Sequence, residues 1–140
     1  MIVSGPALKH VDSHSAIHEA ALNEAIELNE ILESLLKNNE LDKGLEVAYV
    51  AVEHWETRTL RHAQSEEEGL YKEMVEEKPE LKDSIVALTR DHDILRFIVK
   101  EIKGKLGEDG FNAEVMQHFH SLVIVDEYHN QEEERILPHH

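Results

Sequence analysis

The chain has 140 residues, 14 of them basic and 30 acidic, for a formal charge of −16, and it has no cysteine. That length suits one domain with a modest core. The missing cysteine excludes disulfides, thiolate metal sites and cysteine nucleophiles, and the acidic balance repels polyanions, so nucleic acid is excluded as a partner.

The opening MIVSGPALKH lacks the basic start and long apolar run of a signal peptide. No segment approaches the roughly 18–20 apolar residues of a membrane helix. A cytoplasmic protein without a membrane partner is expected. His139 and His140 follow Pro138 and read as remnants of a purification tag, so they are set aside.

Four blocks with apolar residues at alternating steps of four and three predict four helices, at about 12–37, 40–76, 79–106 and 112–137. The first carries His14, His18, Ala21, Ala25, Leu28, Leu32 and Leu35 on one face. The second carries Ala48, Val52, Trp55, Thr59, His62 and Glu66. The third runs from Leu81 through Leu88, His92, Leu95 and Val99 to Leu106, and the fourth from Phe111 through His118, Leu122, His129 and Glu133 to Leu137. Glycine and proline fall between the blocks or at their edges, at Gly44, Pro79, Gly107 and Gly110. No segment alternates like a strand. The expected fold is all-α, a single domain formed as an up-down-up-down antiparallel four-helix bundle.

Every stripe is interrupted by histidine, and two also by glutamate. Burying an unpaired carboxylate is costly, and the stripes offer no inward Lys or Arg to compensate Glu66 and Glu133. Depth links these residues. Residues equidistant from the loop of an antiparallel hairpin share a level, which pairs His62 with His18 and places His92 close to that level. His92 in turn mirrors to about one turn short of His129. Four imidazoles and two carboxylates in one layer make a metal site, and i, i+4 spacing lets His62 with Glu66, and His129 with Glu133, converge. Imidazole with carboxylate suits iron, manganese or zinc, and two carboxylates able to bridge suit a metal pair. The Glu-x-x-His scheme of ferritin-like bundles is absent.

The segments HAQSEEEGLY and HNQEEERILP, together with RDHDILRFI and the histidines of SHSAIHEAAL, resemble the hemerythrin-like family, the histidine–histidine–glutamate cation-binding domain. The resemblance runs from about His14 to Pro138. It implies a non-haem pair of iron ions with an oxo or hydroxo bridge, zinc or manganese being the alternatives. It also implies that His62 and His129 are terminal ligands, that Glu66 and Glu133 bridge, and that His92 is the third-helix ligand. On the first helix, H-x-x-I spacing selects His14 and depth selects His18. His18 is taken as the ligand and His14 as a further candidate.

Oxygen-carrying members of the family have a second histidine one turn on in the third helix, where this chain has Arg96. His14 or His118 would have to replace it. The implied function is binding of oxygen, nitric oxide or iron for sensing, storage or protection, with a small diatomic molecule or peroxide as partner. The alternative is a di-iron oxidase or a peroxide-decomposing enzyme. Glu67 and Glu134 read as solvated or as outer partners of ligating histidines. His118 reads as a packed core residue, His54 and His120 as exposed, and Trp55, Tyr49, Phe97 and Phe119 as packing.

Overall fold

The computed structural model describes residues 5–137, with side chains from residue 16 onward. The described residues are helical and contain no strand. The helices are α1 (Gly5–Lys37), α2 (Leu41–His54), α3 (Arg61–Glu68), α4 (Leu70–Glu77), α5 (Lys82–Asp109) and α6 (Ala113–Ile136). A π-helical turn, Trp55–Leu60, joins α2 to α3, and a 3₁₀ turn, Pro79–Leu81, precedes α5.

Four helical arms pack together: α1, the α2–α4 run, α5 and α6. Three-residue connections between packed neighbours force the chain to reverse, both from α1 to α2 and from α5 to α6. Local chemistry explains these reversals. Asn39 takes a left-handed φ of 57° after α1, and Gly110 one of 74° after α5, conformations open to asparagine and glycine. Asn112 caps α6 by accepting a 3.0 Å hydrogen bond from the Val115 amide. At Gly44 the Phe111 ring lies where a Cβ would be, so glycine lets the α5–α6 connection pack onto α2.

The second arm differs from the continuous helix expected over 40–76. A π-turn holds one more residue than an α-turn, and the stripe shifts at the turn that follows it, while Glu66 stays buried as the even spacing expects. Ala63 is buried where the even spacing would place His62, and His62 is only half-buried. A second break falls at Gly69 (φ −119°, ψ −85°), after which Tyr71 and Met74 turn inward.

Two apolar clusters fill the bundle. The larger includes Leu32, Trp55, Leu95, Ile102, Phe119 and Leu122. The smaller is Tyr71, Met74, Ile85, Leu88 and Leu137. Along α5, His92 falls between Leu88 and Leu95; along α6, His129 and Glu133 fall between Leu122 and Leu137. The polar layer therefore lies between two apolar blocks. Trp55 and Phe119 are core residues as expected, whereas Tyr49 (47% exposed) and Phe97 (63% exposed) face outward and pack no core. Among the described residues no helix is long and apolar enough to cross a membrane.

Candidate metal centre

Six of the seven residues selected from the sequence come together. Glu66, His92, His129 and Glu133 form one group whose ligand atoms lie within 4.8 Å of one another, and His18, His62 and Glu66 form a second. Glu66 belongs to both. The first group is buried throughout and the second only partly. The side chain of His14 lies outside the described residues. A buried His/Glu group of this kind could hold a metal ion.

Each carboxylate faces both groups. Glu66 turns Oε1 to His92 Nε2 at 3.3 Å and Oε2 to His18 Nε2 at 3.6 Å. Glu133 turns Oε2 to His129 Nε2 at 3.4 Å and Oε1 to His18 Nδ1 at 3.4 Å. His18 meets the His62 ring edge-on, with centroids 5.0 Å apart and planes at 89°. The slip at the π-turn leaves His62 facing α1.

Carboxylates fix two of the imidazoles from behind. His92 Nδ1–H donates to Glu67 Oε2 at 2.7 Å, and His129 Nδ1–H donates to Asp91 Oδ2 at 2.9 Å. Ionised carboxylates only accept, so each Nδ1 carries hydrogen and each Nε2 turns inward. Those two Nε2 atoms stand 3.0 Å apart. Two nitrogen lone pairs and two carboxylates aimed at one point require a cation between them. In the metal-free chain that cation is a proton. Burial works against charge on His129, but its hydrogen bond to Glu133, the charge of Glu133, the bond to Asp91 and the charge of Glu66 prevail, pushing its pKa up to about 9.

Three residues that the sequence reading did not select lie at this site. Tyr71 is buried, stacks on His92 (centroids 5.6 Å apart, planes at 6°) and donates a short hydrogen bond to Glu133 Oε2. Burial, then the neighbouring Glu133 and Glu66 charges, push its phenol far above the usual value, so it remains a donor. Asp91 is the outer partner of His129. Asp126 is 3% exposed, and burial pushes its carboxyl up to about 6 against the pull of His18, His129 and His92. Asp126 had a readable signal, because three residues before His129 is the same helix face. Tyr71 and Asp91 act across elements and had none.

Glu67 is an outer partner, tied to His92 and to Arg96 Nη2 at 2.8 Å. Arg96 also pairs with Asp93, so this position supplies no ligand. Glu134 is exposed. His118 is not a core residue. It is half-buried and donates from Nδ1 to the Glu114 carbonyl at 2.8 Å within its own helix. His54 is not exposed. Its side chain retains 9% exposure and bonds the Ala21 carbonyl at 2.9 Å, tying α2 to α1. His120 is exposed and pairs with Glu33. No family model, curated protein or solved structure matches the chain.

Proposed function

We propose that the chain is a hemerythrin-like, non-haem di-iron protein built as an up-down-up-down bundle, binding oxygen, nitric oxide or iron itself for sensing, storage or protection. The observation that carries the reading is the double facing of Glu66 and Glu133, each presenting one oxygen to His18 and the other to His92 or His129. One metal ion needs no such arrangement, whereas two ions held side by side need carboxylates that span them. The donor set, imidazole with carboxylate and no thiolate, suits iron.

In this reading His18 and His62 would hold one ion and His92 and His129 the other, with Glu66 and Glu133 shared between the two groups. Iron bound there would supply electrons to a small ligand. Glu67 and Asp91 keep the Nε2 atoms of His92 and His129 turned inward. The apolar clusters on either side keep bulk water from the buried group of Glu66, His92, His129 and Glu133, which strengthens the charge interactions there.

A second reading, a di-iron oxidase or peroxide-decomposing enzyme, is favoured by Arg96, which stands where a further imidazole would saturate the centre and instead pairs outward. Turnover of hydrogen peroxide by the iron-loaded chain separates the two. For the metal centre itself, Glu66→Ala and His62→Ala are expected to abolish its near-ultraviolet iron absorption, while His54→Ala leaves it intact. An unchanged spectrum in Glu66→Ala contradicts the bridging role.

A further inference from the structure

The two halves of the centre differ in how firmly they are built before any ion arrives. Glu66, His92, His129 and Glu133 are each 3% exposed or less, whereas the side chain of His18 is 16% exposed and His62 is half-buried. Tyr71, itself 2% exposed, reaches two ligands of the buried half at once. Its ring lies flat on His92, and its hydroxyl donates to Glu133 Oε2, the oxygen that also faces His129 Nε2. A ligand on α5 and a ligand on α6 are thereby joined through one side chain placed just beyond the Gly69 break. A carboxylate that accepts a buried hydrogen bond on one oxygen is restrained in rotation, and the offset parallel ring, centroids 5.6 Å apart, resists tilting of the imidazole. Outer partners of this kind fix ligand orientation, and their loss typically weakens metal binding by about 10–100-fold.

We infer that Tyr71 is the positioning residue of the buried half, and that this half takes up the first metal ion while the His18–His62 half fills second. The inference rests on the metal-binding reading above and adds an order of filling and a residue that sets it.

Cobalt(II) titration of the metal-free full chain, followed by visible absorption and calorimetry, tests it. The wild-type chain is expected to bind two ions in separate steps, the first about tenfold or more tighter. His62→Ala should lose the second step and keep the first. Tyr71→Phe retains the ring and removes only the hydroxyl. It should keep the circular dichroism of the metal-free chain, weaken the first step about 10–100-fold and shift its visible band.

Two ions entering in one step, or a Tyr71→Phe chain whose first step and band are unchanged, would overturn the inference. So would a Tyr71→Phe chain that fails to fold, since the hydroxyl would then be a folding group. Uptake of neither cobalt nor iron would instead contradict the metal-binding reading itself.

Discussion

His129 illustrates how a few side chains define the centre. Its Nδ1 is held by Asp91 at 2.9 Å and its Nε2 faces Glu133 at 3.4 Å. These partners raise its pKa from 6.5 to about 9 in the metal-free chain. The folded chain therefore holds this proton more tightly than the unfolded one. The resulting stability is whole below pH 6.5 and is lost as pH rises through about 9; by linkage it is on the order of 3 kcal/mol. Denaturant unfolding of the metal-free chain should show this loss, and His129→Gln should flatten the slope in that window. An equal slope in the variant would show that another group is titrating. The candidate ligands were legible because each interrupts an apolar stripe with a residue that is costly to bury. Tyr71 and Asp91 were not, because each acts on a candidate ligand carried by a different helix and no spacing within one helix reports that.

Helix periodicity located four arms, but not the irregularities that aim them. The π-turn at Trp55–Leu60 is one inserted residue, and no residue type in WETRTL announces it. Even steps of four and three through that segment place His62 inward, whereas the structure gives that place to Ala63. The turn absorbs the extra residue, so the register before and after it is consistent. Deleting Arg58, which is partly exposed and pairs on the surface with Glu24, should restore an α-helical turn and leave metal stoichiometry intact. Its lost ion pair is worth little. Deleting Glu127 from the unbroken α6 should swing His129 and Glu133 by about 100° relative to Leu122 and abolish metal uptake. Metal loss in the Arg58 deletion would show that the π-turn itself shapes the site. Gly69 was visible as a glycine, but its role in returning Tyr71 to the interior depends on contacts from α5 and α6.

On the scale of the whole molecule, two apolar clusters hold an acidic, histidine-rich layer between them in a chain of net charge −16. Such a layer is stable only when a cation balances it. A metal that binds the folded chain alone adds about 2.7 kcal/mol per site at a hundredfold excess over Kd, so chelation should lower the thermal midpoint by roughly 10 °C or more. An unchanged midpoint after removal of bound metal would mean that protons alone satisfy the layer. The all-helical bundle was readable from periodicity and loop chemistry, because both are local properties. Which ion such a group would select is not a local property. The most direct measurement is metal content per chain by elemental analysis after anaerobic iron loading, with ultraviolet-visible spectra before and after azide. About two irons per chain are expected, one for each of the two groups of candidate ligands, with near-ultraviolet bands that azide shifts. A single zinc, or no metal and a featureless spectrum, would contradict it.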